Sequence, residues 1–213
     1  MVKISTIIRC RDEERWIGHS IQSVLDFVKN PEIIIIDNNS TDDSRDVVRM
    51  FEHHVDIGYK TINNYSPGKS INLGVKDAKH DYILLISAHC TISKMNINDH
   101  ISQLNENCVV FGKQTPFYRG RRAGRRYIWK NFGNKLQVDM FSKEENRYFL
   151  HNAFALYKKE VLLSHSFDEI LYGKEDRYWI KGMIELGYHS IYDPSMECIH
   201  HWTPGGATWK GIG

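Results

Sequence analysis

Glu32-Ile33-Ile34-Ile35-Ile36-Asp37-Asn38-Asn39-Ser40-Thr41-Asp42 is the stretch that decides the fold. Successive side chains of a strand point to opposite faces, so four isoleucines in a row describe a strand covered on both sides. The run then stops in turn-forming residues. Ser40 or Thr41 is placed to cap a helix that continues through Phe51. A doubly buried strand feeding a helix is a unit of an α/β layer rather than of a half-exposed antiparallel sheet.

The same alternation extends outward from this stretch. Upstream, Ile4-Ser5-Thr6-Ile7-Ile8 predicts a strand. From Glu13 to Phe27, Trp16, Ile17, Ile21, Val24 and Leu25 recur at helical spacing, and Pro31 breaks the chain before the isoleucines. Downstream come a weaker strand at Lys60-Thr61-Ile62, a turn at Ser66-Pro67-Gly68, a helix from Ser70 to Ala78 and an all-apolar strand at Tyr82-Ile83-Leu84-Leu85-Ile86. This order predicts a mainly parallel central sheet with helices on both faces. Ligands of such sheets bind outside the carboxyl ends of the strands. Three polar clusters, Arg9 to Glu13, Asp37 to Asp42 and Ser87 to Cys90, fall at those ends.

The second half is less regular. Val109-Val110-Phe111 and Leu150 to Tyr157 read as strands. Lys174 to Leu186 reads as a helix closed by Gly187. His189 to Tyr192 and Met196 to His200 read as two short strands. With no internal repeat, low-complexity tract or linker, residues 1–213 are expected to form one domain.

Composition narrows the function. The net charge of +2 gives no global reason to expect nucleic acid. The four cysteines (10, 90, 108, 198) form no Cys-x-x-Cys pair, which suits a reduced, cytoplasmic setting. No apolar run reaches the roughly 20 residues a bilayer requires. The N-terminus becomes charged before a signal-peptide core could form.

Several motifs, in this order and spacing, resemble family-2 glycosyltransferases of the GT-A fold. Ile7-Ile8-Arg9-Cys10-Arg11-Asp12-Glu13-Glu14 is similar to the family's opening strand and turn, and Ile36-Asp37-Asn38-Asn39-Ser40-Thr41-Asp42 to its second. Gly68-Lys69-Ser70-Ile71-Asn72-Leu73-Gly74 resembles the helix start that precedes the metal-binding strand. Gly112-Lys113-Gln114-Thr115-Pro116, His151-Asn152-Ala153-Phe154-Ala155 and Glu175-Asp176-Arg177-Tyr178-Trp179 look closest to the rhamnosyltransferase-like branch.

The resemblance implies an inverting transfer of a sugar from a nucleotide diphosphate sugar to a hydroxyl of a saccharide or lipid-linked acceptor, in surface polysaccharide or glycolipid synthesis. Residues 1–90 would form the nucleotide-binding half and 91–213 the acceptor-binding half. Arg9, Arg11, Glu13, Asp37, Lys69 and Ser87 are expected to hold the nucleotide. Asp37 would accept from a base N–H, Arg11 would stack on the base, and Lys69 would reach the phosphates. Asp176, at a helix start, would take the acceptor proton while Glu175 orients sugar or acceptor. Asn152, Arg121, Arg122 and Trp179 would meet the acceptor.

The metal site departs from the family pattern. Where the family has Asp-x-Asp, this chain has Ser87-Ala88-His89-Cys90. The resemblance implies a divalent cation, Mn²⁺ or Mg²⁺, held by His89 with His200 or His201. Imidazole suits Mn²⁺ better than Mg²⁺. If the strand continued past Ser87, then Ser87 and His89 would point the same way. Position favours His200 over His201.

Arg119, Arg121, Arg122, Arg125, Arg126 and Lys130, interleaved with Tyr127 and Trp129, suit contact with an anionic acceptor or the inner face of the membrane better than RNA. A solvated loop is the plain alternative. A sugar-phosphate nucleotidylyltransferase would need a glycine-rich loop after the first strand, and Arg9 to Glu14 contains no glycine. A degenerate transferase kept as a nucleotide-sugar-binding or scaffolding subunit is the rival that the missing Asp-x-Asp keeps open.

Overall fold

The structure is a computed structural model and describes residues 2–124 and 126–209, so Arg125 of the basic stretch lies outside the described residues. The first half runs β1 (Ile4–Cys10), α1 (Ile17–Phe27), β2 (Glu32–Asp37), α2 (Ser44–Arg49), β3 (Asp56–Thr61), α3 (Pro67–Asp77) and β4 (Tyr82–Ser87). Then follow β5 (Cys90–Lys94), α4 (Ile97–Gln103), β6 (Val109–Tyr118) and the two-residue strands β7 (Arg121–Arg122), β8 (Gln137–Val138), β9 (Phe141–Ser142) and β10 (Arg147–Tyr148). The chain closes with β11 (Phe154–Lys158), α5 (Lys159–Ser164), α6 (Glu175–Glu185) and β12 (Ser190–His201).

The main path of the central sheet has the order β3-β2-β1-β4-β11-β6-β12-β5. The four strands of the first half are mutually parallel, as their helical crossovers require. β11 enters antiparallel between β4 and β6, β12 lies parallel to β6, and β5 closes the edge antiparallel to β12. The isoleucine run behaves as its pattern demands. Ile34 and Ile36 pack into one core, and Ile33 and Ile35 into the core on the opposite face. Each is at most 3% exposed, and each such burial contributes about 1.5–3 kcal/mol.

Several boundaries differ from the sequence expectation for visible reasons. α1 starts at Ile17 because residues 13–16 form a turn in which Trp16 and Ile17 donate their backbone N–H to the Glu13 carbonyl. α2 starts at Ser44, and neither Ser40 nor Thr41 caps it. Ser40 is committed to the Asp37 carboxylate and the Thr41 N–H to Asp12. The turn expected at Ser66 is instead the start of α3. Ser66 accepts from the Lys69 N–H at 3.1 Å, with Pro67 in the first turn. The two short C-terminal strands are one strand, β12, with an irregularity between Asp193 and Glu197. β11 starts only at Phe154, because residues 151–153 lie on the way into the cleft. Gly187 closes α6 at φ +86°, where glycine is favoured.

Gly68 marks the tightest packing of α3. A Cβ there would lie 2.2 Å from the Asp168 carbonyl oxygen. Gly68→Ala is therefore expected to cost about 3 kcal/mol, the upper end of ordinary overpacking. At this size that lowers Tm by about 6–12 °C. Gly58→Ala, with nothing within 4 Å of the new Cβ, serves as the control. Equal melting of both variants in a calorimeter would contradict this packing argument.

Candidate active site

The carboxyl ends of β1 and β4, the start of α6 and the loop before β11 enclose a cleft of about 490 Å³. Its neighbouring turns are stitched to each other. The Asp12 carboxylate accepts from Thr41 N–H at 2.7 Å, Asp42 from Glu14 N–H at 2.9 Å, and Glu14 from Asp43 N–H at 2.9 Å. These acids are spent on loop geometry, which leaves Arg9, Arg11, Glu13 and Asn38 facing the cleft.

On one side of the cleft lie two adjacent carboxylates in the first turn of α6. Glu175 is 6% exposed and Asp176 5%. Asp176 accepts from the Arg177 guanidinium at 2.8 Å, the Arg177 N–H at 2.9 Å and the Asn152 N–H at 3.2 Å. Burial alone would raise its pKa, but Arg177 and the other donors hold it below the usual carboxylate range. Glu175 has one weaker partner, Arg9 at 3.7 Å, and is pushed up to about 7, first by burial and then by the charge of Asp176. Arg177 also donates to the Leu150 carbonyl at 2.7 Å and pairs with Glu145 at 3.2 Å, tying α6 to the loop before β11. His151 lines the same cleft as a neutral imidazole, lowered to about 3 mainly by burial and then by Arg177.

At the end of β4 the chain turns rather than continuing as a strand. Ser87 ends the strand, Ala88 donates its N–H to the Arg9 carbonyl at 3.1 Å, and β5 begins at Cys90. The shared strand face expected for Ser87 and His89 is absent, yet both residues line the cleft. β12 places His200 opposite Cys90, and donor atoms of His89, Cys90 and His200 lie within 4.8 Å of one another. The His89 and His200 rings are 4.8 Å apart. His200 is fully buried, and burial holds its pKa well below the ordinary histidine value, so the ring is neutral. Its Nε2 has no hydrogen-bond partner. A neutral imidazole with an orphaned, buried nitrogen beside a second histidine and a thiol fits a divalent cation of the Mn²⁺–Zn²⁺ range better than Mg²⁺. His201 faces elsewhere. It stacks on Trp16 at 4.0 Å, and its Nε2 meets Thr91 Oγ1 at 3.0 Å.

Eight of the candidate site residues meet at the cleft, Arg9, Arg11, Glu13, Ser87, His89, Asn152, Glu175 and Asp176, and Arg126 and Tyr127 of the basic stretch line it too. The others lie apart from its lining. Asp37 is 3% exposed and bonded to Ser40. The Lys69 ammonium is held by the Asn63 and Asn64 carbonyls. Trp179 is a core residue that stacks on Phe167 and donates to the His165 carbonyl at 2.6 Å. Arg121 and Arg122 sit exposed on β7. Trp129 is buried, so it is no surface stacking platform beside the arginines.

Sequence reading passed over Tyr65, Glu145, Tyr172 and the strap Gly205 to Thr208 as parts of the cleft wall. Arg126 fastens that strap by donating to the Thr208 carbonyl. The Pro204-Gly205-Gly206 run was the one local signal of a tight loop there.

The sequence profile of the family described as Glycosyl transferase family 2 matches residues 5–165. A Campylobacter jejuni GalNAc(5)-diNAcBac-PP-undecaprenol beta-1,3-glucosyltransferase is 27% identical over 199 residues, covering 89% of this chain and 62% of the relative. The O-antigen chain rhamnosyltransferase WbaN of Salmonella anatum is 23% identical over 184 residues, covering 81% and 58%. The chain thus spans under two thirds of the length of these curated relatives. Among solved structures, Staphylococcus aureus TarS 1-349 in complex with UDP-GlcNAc superposes over 100% of this chain and 62% of its own, with TM-score 0.71 and 18% identity. A Pyrobaculum calidifontis mannosyltransferase in complex with GDP-Man and Mn²⁺ superposes over 97% and 59%, with TM-score 0.70 and 16% identity. These likenesses show the GT-A fold.

Proposed function

The chain belongs to glycosyl transferase family 2, and from that premise we propose that it forms a single catalytic domain moving a sugar, with inversion, from a nucleotide diphosphate sugar to an acceptor hydroxyl. The observation that carries this reading is the buried Glu175–Asp176 pair opening on the same cleft as His89. The acceptor oxygen attacks the anomeric carbon, and its proton passes to the carboxylate pair. The two acids titrate as a unit. Asp176 enters the reaction ionised and takes the proton into the pair, whose upper step, about 7 at Glu175, is matched to neutral pH. The sugar–phosphate bond breaks, and the nucleoside diphosphate leaves with the bonding electrons.

His89 and His200, with Cys90, would hold a divalent cation, which when bound neutralises charge on the diphosphate. Arg9 adds fixed positive charge at the cleft floor, and Arg11 and Asn38 border the nucleotide side. Asn152 and the exposed Tyr172 border the acceptor side. The relatives that act on undecaprenol-linked and O-antigen chains support a saccharide or lipid-linked acceptor. Incubation with UDP-, GDP- and dTDP-sugars plus Mn²⁺, followed by assay of released nucleoside diphosphate, tests this. Release from one donor class supports it. Binding without release would instead favour the scaffolding reading that the missing Asp-x-Asp suggests.

None of the described helices is long and apolar enough to cross a membrane. We propose that the exposed Arg121 and Arg122 contact an anionic acceptor or membrane face. Each such charge contributes about 1 kcal/mol near an anionic surface. Arg121→Gln with Arg122→Gln should therefore weaken binding to phosphatidylglycerol vesicles by about tenfold or more, chiefly in its salt-sensitive part. Nucleotide affinity should not change. Unaltered vesicle binding would make β7 a solvated hairpin.

A further inference from the structure

We infer that Glu13 and Gln114 are positioning residues, which fix the tautomers of His89 and His200 so that both rings offer an Nε2 lone pair to one cation. This rests on the metal reading above and adds to it which groups outside the donor set build the site.

Glu13 contributes nothing to α1 through its side chain. Its carbonyl closes the turn before the helix, and its N–H donates to Ser44 Oγ at 2.8 Å. The carboxylate is 6% exposed, and Oε1 lies 2.7 Å from His89 Nδ1. A carboxyl oxygen at this distance is the acceptor. His89 Nδ1 is thereby assigned the hydrogen, which leaves Nε2 to offer the lone pair. The second histidine is wired in the same sense. Gln114 Oε1 lies 2.8 Å from His200 Nδ1, in a pair that is fully buried. The carbonyl oxygen accepts from Nδ1–H, and the partnerless Nε2 is again the lone pair.

The two positioning residues come from different elements, the turn after β1 and the middle of β6, and converge on rings 4.8 Å apart. Glu13 Oε2 is itself buried without a partner, so the one hydrogen bond of this carboxyl group goes to His89. That placement sets a carboxyl group one residue removed from the cation, where Ser87 and His89 replace the two aspartates. Hydrogen bonding of a ligand histidine to a carboxylate or carbonyl oxygen raises its basicity and fixes its orientation. Glu13 then acts through His89 rather than on the nucleotide.

Long-range ¹H–¹⁵N spectra of the imidazoles in the wild-type chain read the tautomers directly, with His89→Ala and His200→Ala giving the assignments. Both rings are expected as Nδ1–H, and an Nε2–H form of either overturns the inference for that ring. Mn²⁺ affinity, followed by the electron paramagnetic resonance of the free ion, gives the second test. Glu13→Leu and Gln114→Leu should each weaken Mn²⁺ binding about 10–100-fold, the usual cost of losing such a partner. Gln114→Glu, which still accepts, should restore most of it. In a His89→Ala background, Glu13→Leu should add less than about twofold, because the two residues act as one unit.

Unchanged Mn²⁺ affinity in Glu13→Leu, with UDP affinity lost in the absence of metal, overturns the inference and returns Glu13 to the nucleotide. Absence of any Mn²⁺ binding by the wild-type chain overturns the metal reading itself, and this inference with it.

Discussion

Asp176→Asn is expected to leave donor affinity near native while slowing transfer about 100-fold or more, the scale of a lost general base. The change keeps the shape of the side chain but removes the charge that Arg177 and the Asn152 N–H surround. Its pH dependence separates the two acids. In the wild type the rate should rise with pH through about 7, because Glu175 is raised to that value and the pair works once its second proton is gone. Burial is the first cause of that shift and the Asp176 charge the next. Asp176→Asn should therefore move the remaining acidic limb to lower pH, and Glu175→Gln should abolish it. A limb that stays near 7 in Glu175→Gln would assign the titration to another group. Near-native turnover in Asp176→Asn would remove proton transfer from this end of α6.

The second large effect concerns the histidines. His89→Ala and His200→Ala should each abolish the Mn²⁺ dependence of nucleotide binding, whereas His201→Ala should leave it nearly intact. Removal of a ligand should cost at least the roughly 10–100-fold that loss of an outer partner costs. The difference between the adjacent histidines follows from the strand. His200 points to the buried cluster beside His89, while His201 packs on Trp16. Calorimetry of nucleoside diphosphate binding with and without Mn²⁺ reads this in all three variants. Persistent Mn²⁺ dependence in His200→Ala would move the cation elsewhere.

The sheet was legible because Ile33 to Ile36 and Tyr82 to Ile86 allow little but strands covered on two faces. The polar clusters after them mark the ligand-binding edge by topology alone. Local spacing could not show what the loops did with their polar groups. Ser40 looked like a helix cap and became a partner of Asp37. Lys69 looked free to reach phosphate and is held by two backbone carbonyls. Trp179 shares a helix face with the acidic pair, one turn further along, but there that face is covered by the core and Trp179 stacks on Phe167. The links between Glu13 and His89, 76 residues apart, and between Gln114 and His200, 86 apart, depend on tertiary register and left no local pattern. The strap from Gly205 to Thr208 was invisible for the same reason, since its place on the cleft wall is set by Arg126 far upstream.

Isothermal titration of the full chain with UDP, GDP, dTDP and CMP, each with and without Mn²⁺, tests the central claim most directly. One nucleotide should bind clearly more tightly than the rest, with an affinity that falls when Mn²⁺ is removed and again in His200→Ala. Absence of binding by any of the four, with or without the cation, would contradict a nucleotide-sugar site in this cleft.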